Sequence, residues 1–235
     1  MFPASPPSAR AHGQYAYDSE SDRMIIFGGQ LASGTAGDTW AYDYNTNTWT
    51  NMNPSNPPIA RWDGRAVYDS AHDRVLMYGG SYYLEDILWS YNYNTNTWEN
   101  RNATMSTSCL ANRPASTQAQ AMAYDSLNDK TIMSSRNGQG GAYQTWAYDW
   151  TTNCWQNRNA TNQPSFRQEP YAIFDGQNTV VKDDYYNGIT NVTDPTYTYN
   201  YGTNTWTDTL TSPPPLTHHI GLAYVPSQNR VILFG

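Results

Sequence analysis

The chain has 235 residues and a net charge of −7, and 38% of its residues are apolar, 14% charged and 14% aromatic. Two lysines and an acidic balance exclude the basic stripe of a nucleic-acid-binding protein. No apolar run reaches the about 20 residues of a membrane span. Few strong helix formers and many Asn, Thr, Gly and Pro residues predict short strands joined by tight turns. We therefore expect an all-β protein that binds no nucleic acid.

The first predicted elements are four consecutive antiparallel strands, here named A to D. Strand A covers residues 13–18 and ends in the pair Tyr17-Asp18, and a polar turn leads to an apolar strand B over residues 23–27. Strand B is expected to end at the double glycine Gly28-Gly29. Strand C covers residues 39–44 with alternating aromatic and small or polar side chains, and strand D lies at Trp49. Such a four-stranded unit is typical of a propeller blade.

The same markers recur in the same order along the chain. The aromatic residues that end strand A are Tyr17, Tyr68, Tyr124, Phe174 and Tyr224. Aromatic pairs nine residues apart mark strands C and D at Trp40/Trp49, Trp89/Trp98, Trp146/Trp155 and Tyr197/Trp206. This period predicts one propeller domain over residues 1–235, because single blades cannot bury both faces alone. Its repeats lie at approximately 10–58, 59–112, 113–165, 166–215 and, in part, 216–235.

The order Ala-Arg, Gly, Tyr-Asp, apolar run, Gly-Gly, Trp-x-Tyr and Trp resembles the kelch repeat over nearly the whole chain. The resemblance implies a kelch-type β-propeller similar to the central domain of galactose oxidase, with four complete blades and a partial fifth. Kelch propellers usually close with five to seven blades, so we expect further repeats in a longer protein. Ser134-Ser135 and Asp184-Tyr185 replace the double glycine in the third and fourth repeats, which predicts altered loops between strands B and C there.

Kelch propellers often bind partners on the face formed by the B–C and D–A connections, and we expect the same of this chain. Arg10, Arg61 and Arg167 recur seven residues before the strand A aromatic residue, and Arg113 is set back by four. Around them we expect Trp62, Tyr82, Tyr83, Tyr143, Tyr185 and Tyr186. Arginine and tyrosine are enriched at interface hot spots, and aromatic rings also stack on sugars. The alternative is that the repeated arginines hydrogen-bond neighbouring blades.

Candidate metal sites have structural alternatives, and we expect neither a metal nor a cofactor. The set His12, Asp63, Glu169 and His219 holds one repeat position, which suits either zinc or a polar lining of the channel mouth. The pairs Asp18/Asp22, Asp69/Asp73 and Asp125/Asp129 suit calcium, but these residue types are also expected in a tight turn. The copper site of the galactose oxidases needs two histidines, two tyrosines and a cysteine cross-linked to a tyrosine, and this constellation cannot be assembled here.

The patterns favour a recognition module for a protein or a glycan over an enzyme, at the cell surface or outside the cell. The alternatives are the propeller of a sugar oxidase or epimerase, and a structural array module. No signal peptide is visible in this segment. Cys109 and Cys154 are either paired or free thiols. Three glycosylation sequons begin at Asn102, Asn159 and Asn191.

Overall fold

The computed structural model describes residues 3–80, 87–115, 120–137, 141–166, 170–183, 196–209 and 220–234. These residues form short antiparallel strands, with one helix of five residues, α1 (Thr107–Ala111), and two single turns of 3₁₀ helix. No helix in the described ranges has the length and apolarity needed to cross a bilayer. The chain divides into two compact units, Met1–Leu110 and Ala111–Gly235, which are described one after the other.

The first unit contains two four-stranded blades, each an antiparallel sheet whose strands follow in chain order. Blade 1 consists of β1 (Gln14–Asp18), β2 (Arg23–Leu31), β3 (Gly34–Asp43) and β4 (Thr48–Asn51). Blade 2 consists of β5 (Gly64–Asp69), β6 (Arg74–Gly79), β7 (Leu88–Asn92) and β8 (Thr97–Asn100). The predicted order of strands A to D is therefore confirmed in both repeats.

The second unit contains two further four-stranded blades and a two-stranded sheet. Blade 3 consists of β9 (Gln120–Asp125), β10 (Lys130–Arg136), β11 (Tyr143–Asp149) and β12 (Cys154–Asn157). Blade 4 consists of β13 (Tyr171–Phe174), β14 (Thr179–Lys182), β15 (Thr196–Asn200) and β16 (Thr205–Asp208). The fifth repeat contributes β17 (Gly221–Val225) and β18 (Arg230–Phe234), which pair with each other as blade 5.

The hairpin between strands B and C of blade 1 is longer than the sequence predicts. The double glycine does not end β2, which runs on to Leu31 and pairs with a β3 that starts at Gly34. The register shifts between Phe27 and Gly29, and a shift of this kind is a β-bulge that bends the strand without ending it. The prediction that strand B stops at residue 27 was wrong for this reason.

Aspartates at the end of strand A organise the following turn. Asp18 Oδ1 accepts hydrogen bonds from the backbone N–H groups of Glu20 and Ser21 at 3.1 and 3.0 Å. The second aspartate of the pattern, Asp22, accepts the hydroxyl proton of Tyr17 at 2.7 Å. The same pair of backbone bonds recurs at Asp69, Asp125 and Asp175. The carboxylates therefore stabilise the turn, which supports the structural interpretation of the Asp-Ser-x-x-Asp pattern over calcium binding.

In each unit, the D–A connection that leaves one blade forms an isolated β-bridge with strand D of the next blade. Ser55 makes an isolated parallel bridge to Thr97 of β8, and its hydroxyl lies 3.3 Å from the Thr97 hydroxyl. In the second unit Thr161 does the same with Thr205 of β16, at 3.2 Å. This repeated contact sets the position of each blade against its neighbour.

Both cysteines are disulfide-bonded. Of the two alternatives that the sequence leaves open for Cys109 and Cys154, the structure therefore excludes the free thiols. A disulfide persists in oxidising compartments and is rare in the cytosol.

Candidate functional site

Arg10 stabilises the place in blade 1 where β2 passes into β3, which we call the B–C corner. Its Nη1 atom donates to the Gly28 carbonyl oxygen at 2.9 Å, and the same guanidinium forms a two-point ion pair with Asp38, at 2.6 and 3.0 Å. This hydrogen bond from Arg10 is the main cause that lowers the pKa of the Asp38 carboxyl, and the indole N–H of Trp40 lowers it further. The Arg10 side chain is only 9% exposed, so most of it is used inside the protein.

Arg61 repeats this arrangement one blade on. Its Nη1 atom donates to the Gly79 carbonyl oxygen at 3.1 Å, and its Nε atom donates to the Ile59 carbonyl oxygen at 3.1 Å. The residue is 2% exposed. Each arginine therefore donates a hydrogen bond to the backbone carbonyl of the first glycine in the double glycine of its own repeat. These guanidinium–carbonyl hydrogen bonds lie within one blade rather than between blades. Both arginine side chains therefore stabilise the fold of their own repeat.

The backbone of the connection at residue 61 also joins the two blades of the first unit. The Arg61 N–H donates to the Ala36 carbonyl oxygen at 3.1 Å, and the Arg61 carbonyl oxygen accepts from the Gly29 N–H at 2.9 Å. The B–C hairpin of blade 1 therefore lies directly against the D–A connection that enters blade 2. This contact places the next two residues of that connection, Trp62 and Asp63, beside strand A of blade 1.

Trp62 lies against His12, and we call these two rings the His12–Trp62 pair. The ring centroids are 5.6 Å apart with an interplanar angle of 58°. Both residues are half-buried, and the His12 side chain is 25% exposed. The pair lies on the face of the first unit formed by the D–A and B–C connections. It offers a partner two adjacent aromatic rings held by a rigid backbone.

Asp63 orients the imidazole of His12. Its Oδ1 atom lies 2.8 Å from His12 Nδ1, and its backbone N–H donates to the His12 carbonyl oxygen at 3.0 Å. Asp63 is 4% exposed. His12 and Asp63 hold equivalent repeat positions, and both have a left-handed backbone with φ of 54° and 60°. Such a conformation is uncommon for residues other than glycine, and in this chain it also occurs at turn residues such as Asp22 and Asn47.

The other two predicted site residues that the structure describes, Tyr143 and Arg113, lie in the second unit. Tyr143 begins β11 and is 6% exposed, with its ring 4.9 Å from that of Phe166 in the core of the second unit. The Arg136 guanidinium lies 5.3 Å above the Tyr143 ring. Burial leaves little of Tyr143 for a partner, although the sequence placed it in an exposed loop. Arg113 is half-buried in the connection that enters blade 3.

Half of the predicted site lies outside the described residues. These candidates are Tyr82, Tyr83, Arg167, Tyr185 and Tyr186. Glu169 and His219, the other members of the proposed zinc set, also fall outside these ranges. Of that set the structure places His12 and Asp63, which bond each other directly. From the sequence, His12 was expected to be either a zinc ligand or part of a polar lining of the channel mouth. Its contact with Trp62 was missed, and the available signal was that positions 12 and 63 are equivalent in consecutive repeats.

The repeated four-stranded blades, packed face to face within each unit, define a β-propeller repeat protein. The family model of the KLHDC2/KLHL20/DRC7 Kelch-repeats domain matches residues 21–235, and the chain therefore belongs to the kelch-repeat family. No curated protein matches it. Kelch-repeat domains are in general propeller modules that bind proteins, which agrees with the predicted class of function.

Proposed function

We propose that this kelch-repeat module recognises a protein partner outside the cell, through the face that carries the D–A and B–C connections. The observation that carries the proposal is the His12–Trp62 pair, two half-buried aromatic residues in contact, with the imidazole held by the Asp63 carboxylate. Rigid aromatic side chains lose little conformational entropy on binding, and tryptophan is among the residues most enriched at hot spots. Arg10 and Arg61 contribute by holding this face in shape.

A glycan is the second candidate ligand, because an accessible indole ring can stack on the apolar face of a sugar. The half-buried Trp62 provides such a ring, and the imidazole held by Asp63 provides a polar group beside it. The extracellular location is supported by the two disulfide-bonded cysteines. The same bonding counts against the copper-oxidase alternative, because a cysteine in a disulfide is not available for a cross-link to tyrosine.

The test is a ligand screen followed by matched substitutions. Peptide display and a glycan array would be screened with the wild-type protein, and each ligand found would be titrated by calorimetry against Trp62→Ala. A hot-spot tryptophan contributes about 2 kcal/mol or more, so we expect the Kd to rise roughly thirtyfold. The control is Tyr44→Ala, which removes a tyrosine that is 78% exposed in the turn after β3, on the face opposite to the His12–Trp62 pair.

Thermal unfolding would establish that both variants keep the fold. An unchanged Kd for Trp62→Ala, with the fold intact, would overturn the proposed site. An equal loss of affinity in Tyr44→Ala would show that the effect of Trp62→Ala is not specific to the proposed site and would overturn it as well. The class of ligand that the screen returns, peptide or sugar, decides between the two candidates.

A further inference from the structure

Three asparagines hold the same place in consecutive repeats, two residues after the end of strand D. They are Asn53 after β4, Asn102 after β8 and Asn159 after β12. Two of them begin the glycosylation sequons at residues 102–104 and 159–161, whereas Asn53 is followed by Pro54 and Ser55. Proline in the middle position abolishes an Asn-x-Ser/Thr acceptor. The chain therefore contains two sequons and one copy blocked by proline at a single repeat position.

Asn159 is exposed and lies in a tight turn after β12. Its backbone has a left-handed φ of 46°, and its N–H donates to Asn157 Oδ1 at 2.9 Å. Within the described part of the chain, the side-chain amide of Asn159 makes no hydrogen bond. This amide can therefore accept a covalent attachment without the loss of any contact that the fold uses.

The other two residues of this sequon hold the turn in place. Ala160 packs against the core of the second unit. Thr161 makes two backbone hydrogen bonds of 3.1 Å, one to Asn204 and one to Trp206. An oligosaccharide on Asn159 would therefore extend into solvent from a fixed point beside strand D of blade 4.

Asn102 has the same place in the repeat but a different local structure. It lies in the 3₁₀ turn Arg101–Thr104 and is half-buried. Its Oδ1 atom accepts a hydrogen bond from the N–H of Leu88 at 3.0 Å. Leu88 is the first residue of β7 and is 0% exposed. The Asn102 side chain therefore completes the hydrogen bonding of a buried strand end, and a sugar on it would have to fit beside β7.

Asn53 repeats the turn of Asn159 and not that of Asn102. It is exposed, its φ is 44°, and its N–H donates to Asn51 Oδ1 at 3.3 Å. Ser55 then makes backbone hydrogen bonds to Asn96 and Trp98 at 3.3 and 3.1 Å, just as Thr161 does one unit on. The first repeat therefore has the turn without the acceptor sequence, and the second repeat has the sequence without the turn.

We propose that Asn159 carries an N-linked oligosaccharide and that Asn102 does not. The inference rests on the proposed location outside the cell, which the disulfide-bonded cysteines support. In the reaction, Asn159 Nδ2 forms a bond with the anomeric carbon of a lipid-diphosphate-linked oligosaccharide. The bond between that carbon and the diphosphate oxygen breaks, the lipid diphosphate leaves, and the amide nitrogen loses one proton. The third repeat alone of these three combines the acceptor sequence with the exposed turn.

The first test is mass spectrometry of the full chain, secreted from cultured cells that perform N-glycosylation. Enzymatic release of the sugars in heavy-oxygen water converts each occupied asparagine into a labelled aspartate. Trypsin places the sequons on different peptides, so that Asn191, which lies outside the described residues, is read separately. We expect the label at Asn159 and not at Asn102. An unlabelled Asn159, or equal labelling of the two, would overturn the proposal.

A gain of site tests the turn independently of the native sequons. The double substitution Pro54→Ala/Ser55→Thr gives the first repeat the tripeptide of residues 159–161 and keeps the hydroxyl that bonds Thr97. Because Asn53 already lies in the exposed turn, we expect it to become labelled. The control is Ser55→Thr alone, which retains the proline and should stay unlabelled at Asn53. Thermal unfolding would establish that both variants fold, and a folded double variant without the label would contradict the proposal.

Protein isolated from the cells that naturally produce it separates this proposal from the proposed location. Recovery outside the cell with Asn159 occupied would support both. Recovery outside the cell with Asn159 unmodified would overturn the glycosylation and leave the location intact. Recovery only inside the cell with Asn159 unmodified would overturn the location and, with it, the glycosylation.

Discussion

At the scale of single residues, Arg10 and Arg61 show how a recurring side chain can be explained by the repeat itself. Each bonds the first glycine carbonyl of its own repeat, so their period reflects the corner that they stabilise. The sequence could identify the period but not the acceptor, because the B–C corner approaches the D–A connection only in the folded chain. His12 and Asp63 likewise come together because consecutive repeats place the same position side by side.

At this corner of the fold, the backbone around Gly28 leaves no room for a side chain. Gly28 has a φ of 66°, and a Cβ atom built there would run into the Arg61 carbonyl oxygen. We expect Gly28→Ala to lower the free energy of unfolding by about 1–3 kcal/mol, because overpacking adds to a left-handed backbone. Urea denaturation would measure the loss.

The matched control for this substitution is Gly221→Ala. A Cβ atom at Gly221 meets no other atom within 4 Å, and its backbone does not require glycine. The control should therefore leave the stability close to that of the wild type. Equal stability of the two variants would show that the corner adapts and that the double glycine has another cause.

At the scale of elements, the strands that follow the period were predicted well and the hairpin ends were not. Strand A of blade 1 was expected at residues 13–18 and is found at Gln14–Asp18. The extension of β2 to Leu31 was missed, because a bulge at a double glycine depends on the pairing of the partner strand. Tyr143 was expected among the residues of the binding face, but it is buried against Phe166. The sequence could not predict this burial, because the two residues are far apart in the chain and meet only in the folded protein.

A buried hydrogen bond joins the two blades of the first unit: the indole N–H of Trp98 in β8 donates to the hydroxyl of Thr39 in β3 at 3.0 Å. Thr39 is 0% exposed and Trp98 is 1% exposed, so the indole N–H has no access to water. Thr39→Val keeps the shape of the side chain and removes the acceptor, which leaves a buried donor unsatisfied. We expect a loss of about 1–3 kcal/mol in the free energy of unfolding, measured by urea denaturation.

The second unit offers an internal replicate of this experiment. Thr145→Val removes the corresponding acceptor from Trp206 and also the hydroxyl that donates to Gln163 Oε1, so it should destabilise in the same direction and by at least as much. Thr50→Val, in the exposed part of β4, makes the same chemical change without a buried partner and should cost little. Comparable effects in all three variants would mean that the substitution acts through strand propensity and not through the interface.

At the scale of the whole molecule, the kelch assignment rests on the same feature that stabilises the protein, the repetition of one blade. In stacked repeats stability is close to a sum of repeat and nearest-neighbour terms, so strands whose central residues are buried should be the most protected. The sequence predicted this architecture because three markers share one period. It could not predict which faces are covered, because exposure depends on packing between blades.

Hydrogen exchange would reveal this gradient along the chain. The central residues of β10 are buried, whereas β18 alternates between exposed and half-buried positions. Because amides exchange through local opening whose cost grows with packing, we expect β10 to exchange slowly and β18 much faster. Mass spectrometry of peptides from both regions would measure the difference. Equal protection of the two strands would contradict this expectation and would show that the chain opens as one cooperative body.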